Sequence, residues 1–175
     1  LKGAQLGIIG GGSLGQATAA MGRALGLKVV FADRKNQPLS NKPYYLAFDE
    51  LISSSDIISL HCPLNSATEN LIKLTEFHKM KSNALLINTA RGGLVNEADL
   101  VVALNENMIA GAGFDVATNE PIPQDNILLS LKGNPNFVLT PHVGWSSDSS
   151  LQCQADMVDK NIESFLEDKP LHLVT

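Results

Sequence analysis

Four groups of residues in this 175-residue chain have the types and spacing to do chemistry. The first is Gly10-Gly11-Gly12-Ser13-Leu14-Gly15, which follows the apolar run Leu6 to Ile9 and opens an amphipathic stretch. Eighteen residues past Gly15, Asp33 ends a second apolar run, Val29 to Ala32. Strand, glycine turn, helix, strand and terminal acid in that order predict a dinucleotide-binding unit. In such a unit Gly10 makes the tight turn, Gly12 lets the backbone approach a pyrophosphate, and Gly15 permits close helix–sheet packing. The N–H groups around Ser13 and Leu14 would face the phosphates along the positive end of the helix dipole. Asp33 can accept hydrogen bonds from both ribose hydroxyls of NAD. Its charge would repel a 2′-phosphate, so NAD is expected over NADP, a preference that the neighbouring Arg34 tempers.

The other three groups surround Arg91, Glu120 and His142. Arg91 stands between an apolar run and two glycines, a poor place for core packing and a good one for gripping a carboxylate or carbonyl oxygen. Alone, each of the three has a plainer reading: a surface arginine, a solvated loop glutamate, a structural histidine. Together they supply what reduction of a 2-oxo acid beside a nicotinamide requires. A fixed cation holds the anionic substrate, and a histidine gives the proton while a carboxylate orients it. On this reading Arg91 binds the substrate and polarises its carbonyl, and His142 protonates the oxygen. Glu120 would favour the charged imidazole and fix its tautomer. Asp115, at the end of another apolar run, could accept from the nicotinamide carboxamide.

Apolar runs of strand length alternate with helix-period stretches along the whole chain. This is the pattern of an α/β fold with a doubly wound parallel sheet, a Rossmann-like domain. Strands are expected at Leu6 to Ile9, Val29 to Ala32, Ile57 to His61, Ala84 to Asn88, Gly111 to Asp115 and Phe137 to Leu139. A first helix would turn Leu14, Ala17, Met21 and Leu25 inward and end at Gly26. Phe48, Leu51 and Ile52 suggest a short helix, Thr75 could cap another that buries Phe77 and Met80, and Asn96 would cap a helix burying Leu100, Ala103 and Leu104. A last helix carries Leu151, Ala155, Val158, Ile162 and Phe165 at helical spacing. Ligands of such sheets bind outside the carboxyl ends of the strands, where His61-Cys62-Pro63, Thr89-Ala90-Arg91, Asp115 and His142 all fall.

Composition narrows the class. Hydrophobic residues make up 44% and charged residues 18%, ordinary for a globular protein. Thirteen Lys plus Arg against eighteen Asp plus Glu give a net charge of -5 without a basic run, so a nucleic-acid partner is not expected. Nor is a membrane partner, because no apolar stretch reaches the length of a span. Cys62 and Cys153 lie far apart and outside any metal-ligand spacing, which fits a reduced, cytoplasmic setting and no metal site. The chain starts at Leu1 with a strand within about five residues, as expected of a piece cut at a domain junction. The expected division is a dinucleotide-binding domain over residues 1–146 and a C-terminal helix and tail over residues 147–175.

These motifs resemble one family closely. Ile8 to Gln16, His61-Cys62-Pro63-Leu64, Leu86 to Val95, Gly113-Phe114-Asp115-Val116 with Glu120-Pro121, and Leu139-Thr140-Pro141-His142 are collinear matches to the NAD-binding domain of the D-isomer-specific 2-hydroxyacid dehydrogenases. The resemblance implies Arg91, Glu120 and His142 as catalytic residues. It also implies cofactor contacts from Ser13, Leu14, Asp33, Cys62 or Pro63, Thr89, Ala90, Arg91, Asp115, and His142 to Gly144. His142 to Ser146 is most similar to the glycerate dehydrogenases, or hydroxypyruvate reductases, within that family, so hydroxypyruvate or glyoxylate is the substrate it suggests. Formate dehydrogenases of the same superfamily have glutamine where Glu120 stands. Family members carry a second, substrate-binding domain, largely absent from this chain, toward which the last helix would cross. They are typically homodimers joined through the domain present here. The chain alone is therefore expected to bind NAD with little or no turnover. A non-catalytic NAD-sensing corepressor of the same fold would share the triad. A methyltransferase would explain the glycine turn but not Arg91, Glu120 and His142.

Overall fold

The apolar runs form seven parallel strands, in a computed structural model that describes residues 1–173. In chain order the elements are β1 (Gln5–Ile9), α1 (Ser13–Ala24), β2 (Lys28–Ala32), β3 (Tyr45–Leu46), α2 (Phe48–Ser54), β4 (Ile57–Leu60), α3 (Leu74–Phe77), β5 (Leu85–Asn88), α4 (Glu97–Asn105), β6 (Gly111–Phe114), β7 (Phe137–Leu139) and α5 (Asp148–Leu166). The sheet order is β3-β2-β1-β4-β5-β6-β7, so the winding reverses at β1, whose Gly7 pairs with Val30 of β2 on one side and Ile58 of β4 on the other. The expected doubly wound sheet is what the chain forms. Both faces are covered, because successive residues of a strand point to opposite sides. Leu6 and Ile8 pack with Ala19 of α1, Val29 and Phe31, while Ile9 joins Leu51 and Ile52 of α2 and Leu100 of α4 in the larger core.

Helix α1 corrects the periodicity reading. Leu14, Ala17, Met21 and Leu25 all face outward, Leu14 being 73% exposed, and the buried positions are Gly15, Ala19 and Gly22. The helix lies too close to the sheet for larger side chains. A Cβ at Gly22 would stand 2.7 Å from Leu6 Cδ2 and 3.2 Å from Val29 Cγ2. Gly26, at φ +82°, follows the helix C-cap as expected. Three smaller differences follow from local chemistry. Lys73, not Thr75, is the N-cap of α3. The two-residue β3 and a 3-10 turn at Ile127–Leu131 carry no periodicity that would announce them. By contrast, Asn96 caps α4 by accepting the Asp99 N–H at 3.0 Å, and Leu100, Ala103 and Leu104 are buried there.

The chain divides into two compact units, the first ending at Pro141 and the second starting at His142. In the second, Ser147 caps α5 by accepting the Ser150 N–H at 3.2 Å. None of the α5 residues is buried, and Val158, Ile162 and Phe165 are more than half exposed. Trp145 Nε1 donates to the His142 carbonyl at 2.7 Å, which shapes the turn leading into the helix.

Candidate functional site

The turn between β1 and α1 is built by close approach. Gly10 has φ +111°, and a Cβ there would meet the His61 carbonyl group at 2.5 Å; a Cβ at Gly15 would stand 1.9 Å from the Gly10 oxygen. Neither position tolerates a side chain. Gly12 differs. It is the helix N-cap, with φ -72°, and a Cβ added there meets no atom within 4 Å. The space beside the start of α1 is open, and the first N–H groups of the helix, at Ser13 and Leu14, have no intrahelical partners.

That turn borders a cavity of about 830 Å³ at the carboxyl ends of β1, β2 and β4, on the side where the sheet order reverses. Gly10, Gly12, Asp33, Cys62 and Pro63 all line it. Asp33 is buried at the end of β2, where its Oδ2 accepts the Ser40 N–H at 2.8 Å. This hydrogen bond holds its carboxyl below the usual carboxylate range, with a further contribution from the nearby Lys42, so Asp33 is charged at neutral pH. His61 shares a 2.9 Å hydrogen bond with the Ser59 hydroxyl, rather than with backbone, and burial keeps its imidazole below the ordinary histidine range. Burial also pushes the Cys62 thiol up, so it is an uncharged lining group and not a nucleophile. The walls of the cavity thus combine the glycine turn, the Asp33 carboxylate and apolar contacts from Ile9, Cys62 and Pro63.

Thr89, Ala90 and Arg91 follow β5, and Asp115 follows β6, farther along the same edge. Asn88, read from the sequence only as the end of a strand, sets their geometry. Asn88 is fully buried; its Nδ2 donates to the Arg91 carbonyl at 2.9 Å and its Oδ1 accepts the Ala90 N–H at 3.1 Å. The Arg91 guanidinium is exposed, with Nη1 on the Ala90 carbonyl at 2.6 Å. Asp115 is buried and accepts the Thr140 hydroxyl through Oδ1 at 2.5 Å. Glu120 bends back to accept the Ala117 N–H at 2.9 Å, while Glu97 accepts the Thr118 N–H at 2.6 Å. The loop after β6 is thereby pinned to the start of α4, the helix that follows the loop carrying Arg91. His142 and Gly144 belong to the second unit, where His142 adopts the left-handed φ of 53°. Among the described residues, no cluster of His, Cys, Asp and Glu could hold a metal ion, and no helix is long and apolar enough to cross a membrane.

Comparison with known proteins gives a consistent result. The family model described as D-isomer specific 2-hydroxyacid dehydrogenase, NAD binding domain, matches residues 1–144. A hydroxypyruvate reductase of Blautia hydrogenotrophica is 43% identical over 99% of this chain and 54% of its own length. A glycerate dehydrogenase of Methylorubrum extorquens is 42% identical over 99% of this chain and 54% of its own. Among solved structures, D-lactate dehydrogenase with NAD+ from Lactobacillus jensenii superposes with a TM-score of 0.87 at 34% identity, covering 98% of this chain and 55% of that one. The chain spans about half the length of the relatives it matches.

Proposed function

The chain belongs to the D-isomer-specific 2-hydroxyacid dehydrogenases, whose NAD-binding domain it carries, and from that membership we propose that the protein reduces a short 2-oxo acid, hydroxypyruvate or glyoxylate, to the D-2-hydroxy acid. The observation that carries the cofactor half of this reading is the shared cavity of Gly12 and the charged Asp33. The glycine turn would take the pyrophosphate, Asp33 the adenosine ribose hydroxyls, and Cys62 and Pro63 the apolar wall. Thr89, Ala90 and Asp115, with Gly144, would lie toward the nicotinamide end. Bound NADH supplies the hydride.

The chain's own residues handle charge and protons. Arg91 would pair with the substrate carboxylate and polarise the carbonyl oxygen, in a geometry that the Asn88 hydrogen bonds fix. His142 would deliver a proton to that oxygen as the carbonyl carbon is reduced, leaving an alcohol. Glu120 would orient the imidazole and stabilise its charged form. Residues 147–175 would cross to a substrate-binding domain, which closes the cleft against water. A homodimer formed through the NAD-binding domain and a cytoplasmic location complete the reading. Steady-state oxidation of NADH by the intact protein, with hydroxypyruvate and with glyoxylate, tests it. Turnover that His142→Gln lowers by about 10²-fold or more, with NADH affinity kept, supports the assignment. Absence of turnover with any short 2-oxo acid would remove it.

A further inference from the structure

Three cations line the cavity near Asp33, namely Arg34, Lys35 and Lys42, yet one of them is already committed. Lys35 Nζ is 2.8 Å from Oε1 of Glu76, forty-one residues away in sequence, and donates also to the Leu71 carbonyl at 3.3 Å. Its ammonium stands 5.2 Å over the Phe48 ring. Glu76 is 2% exposed, and its other oxygen accepts the Lys73 N–H and the Thr75 hydroxyl at 3.2 and 2.9 Å. Every acceptor of this carboxylate faces a donor, so the pair is held in one geometry.

We propose that Glu76 determines cofactor specificity from outside the cofactor's reach, by occupying the ammonium of Lys35 so that it cannot serve a 2′-phosphate. This rests on the reading that the cavity holds a dinucleotide with its adenosine ribose at Asp33. A free lysine on this wall would attract a phosphate and offset the repulsion from Asp33. Bound to Glu76, Lys35 adds no unbalanced charge toward the cavity, so only Arg34 and Lys42 are left to oppose the charge of Asp33 and the balance shifts toward NADH. The same ion pair ties the segment after β2 to α3, and Leu71, whose carbonyl Lys35 also meets, lines the cavity with it. Glu76 is thus a positioning residue whose effect is on selectivity, and it takes no part in proton transfer.

Calorimetric titration of the intact protein with NADH and with NADPH tests the proposal. Glu76→Gln, checked for folding by circular dichroism, is expected to tighten NADPH about fivefold to tenfold while NADH changes less than threefold. Lys35→Met combined with Glu76→Leu replaces the pair by apolar groups of similar shape, and selectivity is then expected to stay within twofold of the native protein. If Glu76→Gln does not fold, Glu76→Leu alone gives the same reading: a gain in NADPH affinity supports the proposal, and unchanged selectivity in that folded variant overturns it. Unchanged selectivity in folded Glu76→Gln overturns the proposal. So does a tenfold loss of NADPH affinity in the double variant, since Lys35 would then already reach the phosphate in the native protein. A native protein that bound neither nucleotide would remove the underlying cavity reading as well, which separates the two failures.

Discussion

Gly92 and Ala117 approach so closely that a Cβ at residue 92 would stand 1.9 Å from the Ala117 carbonyl carbon. Two loops meet at this point. Gly92 follows Arg91, and Ala117 donates its N–H to Glu120. The proposed substrate-binding cation and the proposed partner of the acid are therefore fixed relative to one another by backbone contact. Gly92→Ala must push the loops apart, because the obstructing atoms are backbone and cannot rotate away. We expect a loss of about 10²-fold in kcat/KM of the intact protein, from displacement of about 1 Å at the reacting groups. NADH affinity should fall much less, about threefold, because the Gly10–Gly15 turn and Asp33 lie after other strands and only the contacts from Thr89, Ala90 and Asp115 are disturbed. Parallel NADH titration and turnover measurements check this split.

Arg91→Lys keeps the charge but loses the planar fork that can bind a carboxylate and a carbonyl oxygen together. The expected result is a fall of about 10²-fold or more in kcat/KM with little change in NADH binding. A lysine variant with native kinetics would leave Arg91 with only the local hydrogen bond to Ala90.

Glu76 gives a pH-dependent stability with a defined sign. Burial opposes its ionisation, but hydrogen bonds from Lys35, Thr75 and Lys73 outweigh that and hold its carboxyl below the ordinary glutamate range. A depressed carboxylate stabilises the fold above its unfolded pKa, and this contribution is lost as pH falls through the folded value. Glu76→Gln should cost about 2 kcal/mol at neutral pH, less than for a fully enclosed pair because Lys35 is partly exposed. The gap between native and variant should narrow as pH drops below the ordinary glutamate range. Urea unfolding of both proteins at a series of pH values measures it.

Much of this was readable from sequence, for reasons that differ between residues. The strands were legible because a sheet buried on both faces needs near-continuous apolar runs, as in Ile57–Leu60 and Leu85–Asn88. Gly10 and Gly15 were legible because their places admit nothing larger. The buried face of α1 was not. Periodicity points to the largest apolar residues, Leu14, Met21 and Leu25, whereas close packing on β1 and β2 selects Gly15, Ala19 and Gly22. Asn88 looked like the last residue of a strand, and its role depends on loop hydrogen bonds that no local pattern encodes. The Lys35–Glu76 pair spans forty-one residues, and a lysine in a polar loop gives no sign of its partner.

The glycine cradle is tested most directly at Gly12, where a side chain meets no protein atom within 4 Å and the backbone suits any residue. Aspartate is also a favourable helix N-cap, so Gly12→Asp should fold as well as the native chain. It would, however, place bulk and negative charge where the pyrophosphate is proposed to sit. Calorimetric titration with NADH should show the native protein binding and Gly12→Asp weakened by about tenfold or more at equal thermal stability. NADH affinity equal in the two proteins would contradict the site.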